Sequence, residues 1–251
     1  MSSIPMIWIG YDPLEHEAYL VAKHSILRYC PDAIIKPLVN DTLRHIGLLR
    51  RAPQWTAEGG HAAMIDYADL RPYSTQFTFS RFLVPHLMAR HGWAIFMDCD
   101  MMLRANIELL WDQRDDDYAI QCVKHDQKIE PGETKMLKNS QPQEPYTRKN
   151  WSAVMMINCA HPVHEKLSID DVNTKSGRWL HQFGWIEDDS LIGALTEDWN
   201  WLDGYSDESI DPAIVHHTRG GPWFPEWQNV AFADEWRDNL ARISDFDRER
   251  I

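Results

Sequence analysis

The sequence predicts an α/β fold, a sheet flanked by helices, from apolar runs and helical spacing near its N-terminus and centre. Residues 5–10 form a short apolar run, and residues 14–29 repeat apolar side chains at helical spacing. Residues 33–39 form a second apolar run, and residues 93–97 form a third. Strand, helix and strand in that order are typical of a Rossmann-like parallel unit. We expect a single domain, 1–251, because α/β domains of this length commonly share one core.

The remaining elements follow from the same patterns. Apolar runs too short for a helix predict further strands at residues 118–123, 151–158 and 213–216. Apolar spacing predicts helices at residues 75–90, at 191–195 within a short helix, and from Asp234 onward as a solvated terminal helix. Residues 45–75 lack a clear period and are predicted to be loop with short elements. Residues 124–149 are polar, with Gly and Pro, and are predicted to be a long excursion or lid.

The charge of the chain excludes one class of partner. The formal net charge is −13, whereas a nucleic-acid-binding protein needs a basic surface to neutralise phosphates. We therefore expect no nucleic-acid partner. An acidic protein that handles a phosphorylated ligand needs a bound cation or a few well-placed basic side chains. The four cysteines form no CxxC pair and are predicted to be buried, reduced thiols.

The sequence shows neither the pattern of a targeting signal nor that of a membrane-spanning segment. The N-terminus lacks the charged start, apolar middle and small-residue cleavage site of a signal peptide. No apolar run approaches the roughly 20 residues that cross a bilayer. The prediction is a cytoplasmic protein, with a peripheral membrane contact left open. Twelve tryptophans are many for this length, and each is either a core residue or a sugar-stacking surface.

Two carboxylates follow the apolar run at residues 93–97. Asp98 and Asp100 flank Cys99, and they stand where the carboxyl end of a parallel strand meets the ligand crevice of open α/β sheets. Side chains at i and i+2 share a face on a regular strand, so both acids are expected to converge on one hard cation. A solvated turn at the strand end is the alternative.

Histidines and glycines follow the last predicted strand. His216 and His217 end this strand, and Gly220 and Gly221 come shortly after, ahead of Trp223. A neutral imidazole can bind Mn²⁺ beside carboxylates, and glycines let backbone amides approach a diphosphate. A structural histidine is the alternative when this motif is taken alone.

Together these motifs resemble glycosyltransferase family 8, which includes glycogenin and bacterial lipopolysaccharide galactosyl- and glucosyltransferases. The resemblance rests on Gly-Tyr-Asp after the first strand, Phe-Ser-Arg-Phe-Leu-Val-Pro at 79–85, Asp-Cys-Asp at 98–100, and His-x-Thr-x-Gly-Gly-Pro-Trp at 216–223. It spans about residues 5–227 and is strongest to an uncharacterised bacterial branch with Arg-Lys-Asn-Trp-Ser at 148–152. It implies a GT-A fold and a UDP-sugar donor.

The resemblance also assigns residues to the donor site. It implies that Asp98, Asp100 and His216 bind Mn²⁺ or Mg²⁺, with His217 as second choice. It implies that Ile9, Tyr11 and Asp12 hold the uracil base and that Cys99 also binds the donor. Gly220, Gly221 and Trp223 match the family's diphosphate-side loop. Arg81 matches a basic residue near the donor sugar and diphosphate. The family's loop lysine is missing, and Arg219 or Arg148 is expected to supply its charge.

Glu187, Asp188 and Asp189 match the family's Asp-Gln-Asp, whose first two positions contact the donor sugar. Glu187 and Asp188 are therefore expected to orient the sugar beside Arg81, although the Glu and Asp replacements leave its identity open. Other roles stay open for these residues. Tyr11 and Asp12 could form only the turn before the first helix, Arg81 could lie on a helix surface, and the acids at 187–189 could cap the helix that follows.

The predicted function is metal-dependent transfer of a hexose from a UDP-sugar to an acceptor hydroxyl, with retention implied by the resemblance. The acceptor is an unknown glycan, lipid-linked or small molecule. The alternative is a non-catalytic protein that binds a sugar nucleotide or a glycan. An aspartyl phosphotransferase would need a Ser or Thr soon after Asp100, where Met101 and Met102 stand. A nucleotidyltransferase would need a Gly-rich basic loop near the N-terminus, which is missing here.

Overall fold

The computed structural model describes residues 4–52, 54–58, 61–126, 134–135, 141–142 and 148–248. Most of the predicted excursion at 124–149 therefore lies outside the described residues. The strands are Met6–Gly10 (β1), Ile34–Leu38 (β2), Gln54–Glu58 (β3), His61–Ile65 (β4), Pro72–Tyr73 (β5), Trp93–Met97 (β6), Met101–Leu103 (β7), Ile120–Val123 (β8), Thr134–Lys135 (β9), Gln141–Pro142 (β10), Val154–Asn158 (β11), Ile192–Leu195 (β12), Trp201–Leu202 (β13) and Ile214–His216 (β14). The α-helices are His16–Tyr29 (α1), Asn40–His45 (α2), Val84–Leu87 (α3), Glu108–Trp111 (α4), Ile169–Thr174 (α5), Gly177–His181 (α6), Ala233–Ala241 (α7) and Asp245–Arg248 (α8).

The centre of the fold is a six-stranded mixed sheet in the order β12-β8-β11-β6-β1-β2. β1 pairs in parallel with both β2 and β6, as the first strand, helix and strand predict. β11 runs antiparallel to its two neighbours, β6 and β8. The inner strands β6, β8 and β11 are buried almost throughout, which explains why they are continuous apolar runs rather than alternating ones. The α/β prediction with a mixed sheet is confirmed.

A three-stranded sheet in the order β13-β14-β7 continues from the end of β6. The chain leaves β6 at Met97, bends through residues 98–100 and enters β7 at Met101. The two acids of the Asp-Cys-Asp motif therefore lie where one sheet gives way to the other. This position puts both acids at the carboxyl end of a central strand, as the sequence predicts.

The helix predicted at 75–90 is present only as short, separate helical segments. The structure has two short 3-10 helices, Gln76–Thr78 and Ser80–Leu83, followed by the single turn of α3. Side chains from elsewhere hold the backbone here, because the Asp12 carboxylate accepts from the Gln76 amide at 2.9 Å and Asn40 Nδ2 donates to the Gln76 carbonyl. These tertiary contacts override the helical spacing of the apolar residues.

The predicted helix at 191–195 is wrong, because Ile192–Leu195 is strand β12 and pairs in parallel with β8. The lack of a side chain at Gly193 leaves room for this pairing. A Cβ at Gly193 would lie 2.7 Å from the Tyr118 ring and 2.8 Å from the Gln121 side chain. A four-residue apolar run does not distinguish helix from strand, and here the open edge of β8 decides.

The short elements predicted within residues 45–75 are present. β3, β4 and β5 form an antiparallel sheet in chain order. The predicted terminal helix is present as α7 and α8, but α7 is not solvated, because its Ala233, Trp236 and Asn239 are buried and Asn239 Oδ1 lies 3.0 Å from His24 Nδ1 of α1. The four cysteines are buried and free, as predicted. Among the described residues, no helix combines the length and the apolarity of a membrane span.

Candidate metal and donor site

The register between β14 and β7 builds the candidate site. The two strands pair antiparallel with His216 opposite Met101. The backbone amide of His217 donates to the carbonyl of Asp100 at 2.9 Å and extends the pairing by one residue. The imidazole of His216 is thereby carried to the bend that holds the two acids, although more than 110 residues separate them in the chain.

Asp98, Asp100 and His216 each offer one ligand atom, and these atoms all lie within 4.8 Å of one another. All three side chains are buried, and His216 Nε2 lies 3.3 Å from an Asp100 carboxylate oxygen. The acids converge at the bend between two strands rather than by the i, i+2 alternation of one regular strand. Two carboxylates and an imidazole are a donor set suited to Mn²⁺ or Mg²⁺.

Asn200 fixes the orientation of the His216 ring. Asn200 Nδ2 donates to the carbonyl of Asn150 at 3.2 Å, so its Oδ1 is the atom that faces His216 Nδ1 at 2.9 Å. His216 Nδ1 must then carry the proton, and Nε2 presents its lone pair toward Asp100. An outer hydrogen bond that fixes the tautomer of an imidazole is typical of metal-binding histidines.

His125 is a second histidine near this cluster, and it is kept neutral. Burial, aided by the proximity of His216, lowers the pKa of His125 to about 4, while a hydrogen bond to the backbone of Asn200 opposes this shift. The His125 carbonyl accepts from Trp151 Nε1 at 3.0 Å. Asn200 thus connects the two histidines, through its backbone to one and its side chain to the other.

Arg81 is buried against the cluster rather than placed on a helix surface. Its guanidinium lies 2.8 Å from an Asp98 carboxylate oxygen and donates to the carbonyl of Ser152 at 2.9 Å. The rings of Phe77 and Phe96 lie 5.2 and 5.0 Å from the guanidinium carbon. These contacts hold a fixed positive charge beside one of the predicted metal ligands.

A cavity of about 200 Å³ opens beside Asp98 and Arg81. Its walls bring together cations from four separate segments, although the protein is strongly acidic: Arg71, Arg81, Lys149 and Arg178. Three carboxylates also line it: Asp66, Asp69 and Asp98. The charge around this cavity therefore differs in sign from the net charge of the chain, as a phosphorylated ligand requires.

Ser152 and His181 form a close pair in the cavity wall, with Oγ and Nδ1 2.6 Å apart. Burial, and then the charge of Arg81, lowers the pKa of His181 well below 6.5, while a hydrogen bond to the Thr78 backbone opposes the shift. Because His181 donates one ring N–H to that backbone, Nδ1 accepts the proton of the Ser152 hydroxyl. The pair is neutral and ordered.

The segment predicted to hold the base is packed inside the protein. Tyr11 donates its hydroxyl proton to, or accepts one from, His16 Nδ1 at 3.1 Å. The Asp12 carboxylate caps the turn before α1 by accepting from Leu14 N at 3.0 Å, and it also accepts from Gln76 N at 2.9 Å. Burial raises the pKa of Asp12 against the effect of these two bonds. The turn-forming role left open for both residues is present.

Ile9 and Cys99 have no exposed surface. Ile9 pairs with Met97 in the central sheet, and the Cys99 thiol lies 3.3 Å from a Glu15 carboxylate oxygen. Neither they nor Tyr11 and Asp12 line the cavity beside Asp98. Any contact with a nucleotide at Cys99 would have to come from its backbone.

Gly221, in the loop after β14, packs against the protein's own Trp223 ring, so the approach of the glycine amides to a diphosphate stays a prediction. Gly220 has a φ of 135°, and a Cβ at Gly221 would lie 2.0 Å from the Trp223 ring. Thr218 lines the cavity beside Asp98, whereas Gly220, Gly221 and Trp223 do not. Arg219, expected to replace the family's lysine, points elsewhere, into a second cavity.

Glu187 and Asp188 are not brought to the cavity. Glu187 is exposed and lies 3.3 Å from Lys166 Nζ. Asp188 is exposed and accepts from both the amide and the hydroxyl of Ser190, and these bonds lower its pKa. The capping role left open for this segment is therefore present. Asp189 pairs with Arg148, so Arg148 too has a partner away from the cluster.

Several residues at the site could not be predicted from the sequence. Arg71, Arg178 and His181 come from segments whose sequence offers no signal for a ligand, and Asn200 is one more polar residue between two tryptophans. A signal does exist for Lys149 and Ser152, because both belong to the Arg-Lys-Asn-Trp-Ser run at 148–152. Lys149 lines the cavity beside Asp98.

A relative of known sequence places the chain in a family. No family model matches the chain. Protein CDI of Arabidopsis thaliana is 41% identical to it over 244 residues, which cover 95% of this chain and 86% of that protein. The chain belongs to the family of Protein CDI. The match to Protein CDI does not test the resemblance to glycosyltransferase family 8, which concerns the fold and the site.

Three solved structures are similar in fold to this relative of Protein CDI. The bifunctional glycosyltransferase WbbM has a TM-score of 0.58 at 16% identity, with 99% of this chain and 51% of WbbM covered. Galactosyltransferase LgtC, in complex with donor and acceptor sugar analogs, has a TM-score of 0.55 at 14% identity, with 98% of this chain and 100% of LgtC covered. GlyE of Streptococcus pneumoniae has a TM-score of 0.58 at 14% identity, with 98% and 61% covered. The fold is that of GT-A glycosyltransferases.

Proposed function

We propose that this protein is a glycosyltransferase that moves a hexose from a UDP-sugar to an acceptor hydroxyl with the help of Mn²⁺ or Mg²⁺. The observation that carries the proposal is the buried cluster of Asp98, Asp100 and His216 beside a cavity lined by four cations. A diphosphate binds where positive side chains are concentrated. The net charge of the chain is −13, so the cations at this cavity run against the overall charge of the protein. The GT-A fold supports the same class of reaction.

The residues fit a divalent cation. Asp98 and Asp100 supply hard carboxylate oxygens, and His216 supplies an Nε2 lone pair whose tautomer Asn200 sets. His217 is the weaker candidate because its Nδ1 lies 3.4 Å from Asp203 and outside the cluster. A divalent cation bound here would neutralise diphosphate charge and stabilise the departing nucleotide.

The protein's own cations would act on the same charge. Arg81 is fixed by Asp98, Ser152 and two aromatic rings, so it adds positive potential without reorganising during transfer. Lys149 and Arg178 lie on other walls of the cavity and would bind the phosphates or the sugar. Ser152 and Thr218 also reach the cavity, and their hydroxyls are placed to orient a donor sugar.

The resemblance assigns a sugar-orienting role to Glu187 and Asp188, but neither residue lines the cavity. Both acids are exposed and engaged with Lys166 and Ser190. They would serve the donor only if their segment moved toward the cavity. Retention likewise rests on the family resemblance, through a same-face displacement in which a donor phosphate oxygen accepts the acceptor's proton.

This placement also favours the second candidate, a protein that binds a sugar nucleotide or a glycan without turnover. The metal cluster and the cations are present, whereas the acids that would orient the sugar point away. Binding and turnover must therefore be measured separately.

The first experiment is thermal unfolding with UDP, GDP and their sugars, with and without Mn²⁺. A ligand present at 100 times its dissociation constant adds about 2.7 kcal/mol to the stability of the folded state. We expect a shift that needs both UDP and Mn²⁺, that is lost in Asp100→Asn and His216→Gln, and that persists in the matched control His217→Gln. No shift with any nucleotide would overturn the proposal.

The second experiment follows the fate of the donor. Hydrolysis of UDP-glucose or UDP-galactose, or transfer to an added acceptor, would establish an enzyme. A UDP and Mn²⁺ shift with no release of UDP over many hours at high protein concentration would favour the binding protein instead.

A further inference from the structure

A second cavity of about 670 Å³ lies on the other side of the loop that follows β14. Two turns, within 203–208 and 226–232, form its walls together with the end of β13. Its floor is aromatic, with rings contributed by four residues: Trp201, Tyr205, Trp227 and Phe232. Trp201 is buried, whereas Tyr205, Trp227 and Phe232 are partly exposed. A partly exposed aromatic ring is a surface on which the C–H face of a sugar packs well.

The segment 216–219 connects this cavity to the metal cluster. His216 belongs to the cluster, Thr218 lines the cavity beside Asp98, and Arg219 lines the second cavity. The backbone amide of Asp203 donates to the His216 carbonyl at 3.0 Å, so the wall of the second cavity is bonded to the strand that carries the metal ligand.

Arg219 is held in a niche in the wall of the second cavity. Its guanidinium carbon lies 5.3 Å from the centroids of both the Tyr205 and the Trp227 rings. The niche depends on Gly204, where a Cβ would lie 1.9 Å from an Arg219 Nη atom. The rings and the glycine together keep this cation away from the Asp98 cavity.

The walls contain two hydrogen-bond donors that no group in the described part of the chain satisfies. Arg219 Nε and Trp227 Nε1 are buried and have no hydrogen-bond partner among the described residues. A buried donor without a partner destabilises the folded state, because it has given up its hydrogen bonds to water without replacing them. A small shift of the Trp227 ring or of the guanidinium, for which the cavity has room, would bring both donors to a ligand that carries oxygen acceptors.

The charge of the second cavity excludes a nucleotide diphosphate. Arg219 is accompanied there by three carboxylates: Asp203, Glu208 and Glu226. The cavity beside Asp98 has four cations against three carboxylates, and the second cavity has one cation against three. An uncharged ligand rich in hydroxyls suits the second cavity, because hydroxyls both accept from N–H groups and donate to carboxylates.

We propose that the second cavity binds a neutral sugar residue of an oligosaccharide, stacked on Trp227 and Tyr205 and hydrogen-bonded by Arg219 and the acids around it. This inference goes beyond the proposed function and holds for an enzyme and for a binding protein alike. In an enzyme, the bound residue would belong to the acceptor at a distance from the hydroxyl that reacts.

The test is ligand-observed NMR by saturation transfer on the full chain, with maltotriose, cellotriose, lactose and chitotriose as probes at millimolar concentration. We expect at least one probe to bind, and Trp227→Ala to weaken that binding by about tenfold or more. Trp227→Phe keeps a ring and removes the N–H, and should give an intermediate loss. The matched control is Tyr73→Ala, which removes an aromatic ring from the other cavity and should leave the binding unchanged.

Three results would overturn the inference, and the first two are no binding of any of the four probes and equal binding by the wild-type protein and Trp227→Ala. Binding that is lost in Tyr73→Ala would also overturn it, because the sugar would then lie beside Asp98. The UDP and Mn²⁺ shift is measured on the same variants and should be unaffected by Trp227→Ala. Failure of the donor site and failure of the second cavity are thus told apart.

Discussion

Asn200 Oδ1 lies 2.9 Å from His216 Nδ1, and this hydrogen bond decides which ring nitrogen of His216 faces Asp100. Asn200 is fully buried and is itself held by the carbonyl of Asn150. It touches none of the atoms that would bind the cation, so its role at the cluster is to position the imidazole.

Replacing Asn200 with Ser should therefore weaken Mn²⁺ binding without removing a ligand. Loss of such an outer hydrogen bond typically lowers metal affinity by about 10–100-fold. Titration of Mn²⁺ followed by electron paramagnetic resonance measures this directly, and thermal unfolding without metal reports on the fold. An unchanged Mn²⁺ affinity in a folded variant would show that Asn200 does not set the tautomer.

The buried ion pair of Arg81 and Asp98 leads to a second prediction. Removing one partner of a buried pair leaves an uncompensated charge and costs about 3–5 kcal/mol. Arg81→Met should lose stability of this order in EDTA, and Mn²⁺ should restore part of it, because a cation at Asp98 replaces the lost charge. Urea unfolding in EDTA and in Mn²⁺ makes the measurement.

The control is Arg237→Met, which breaks the exposed pair between Arg237 and Asp234. Exposed pairs of this kind contribute about 0–1 kcal/mol, and Mn²⁺ should not change that loss. An Arg81→Met variant as stable as this control would contradict the prediction, and so would one that Mn²⁺ leaves unaffected.

The sequence allows the core of the site to be predicted because its signals are local. Asp98 and Asp100 follow a strand that is recognisable from its apolar run, and His216 ends another. Their meeting depends on the pairing of β14 with β7, which no pattern near either strand specifies. The family resemblance supplied that partner.

The walls of the cavity could not be predicted in the same way. The segment of Arg178 reaches the cavity through a long-range contact, since the Asp66 carboxylate accepts from the Gly177 amide at 2.9 Å. Asp66 lies in a segment without period, and Gly177 is distant from it in sequence. The same holds for β12, whose strand conformation follows from the free edge of β8.

His164 makes the stability of the protein depend on pH. It is fully buried, its Nε2 donates to the Ala119 carbonyl at 3.2 Å, and its Nδ1 accepts from Trp185 Nε1 at 3.3 Å. Burial lowers its pKa from 6.5 to about 4. The unfolded chain therefore binds more protons than the folded one between these values, so stability must fall as the pH drops from 6.5 toward 4.

For His164 alone, the loss between pH 7 and pH 5 should be about 2 kcal/mol. His164→Gln should therefore lose about that much less than the wild-type protein over the same step, whatever its stability at pH 7. Urea unfolding at the two pH values gives the comparison. Equal losses in both proteins would mean that His164 titrates normally in the fold.

The contact between Gly204 and Arg219 predicts a coupling between two substitutions. Gly204 has a φ of +77°, where a side chain costs about 1–2 kcal/mol, and its Cβ would also displace the guanidinium of Arg219. Gly47 is the matched control, because its φ is +79° and a Cβ there meets nothing within 4 Å. Gly204→Ala should therefore cost more than Gly47→Ala.

The excess should disappear when Arg219 is shortened. In an Arg219→Ser background, Gly204→Ala should cost only what Gly47→Ala costs, and the double-mutant cycle should give a coupling of about 0.5–3 kcal/mol. Urea unfolding of the four proteins measures it. If Gly204→Ala and Gly47→Ala lower the free energy of unfolding equally in the wild-type background, Arg219 does not occupy the niche. The loop after His216 is then not fixed by Arg219. A measurable coupling would instead show that the cation is held between Tyr205 and Trp227, away from the metal cluster.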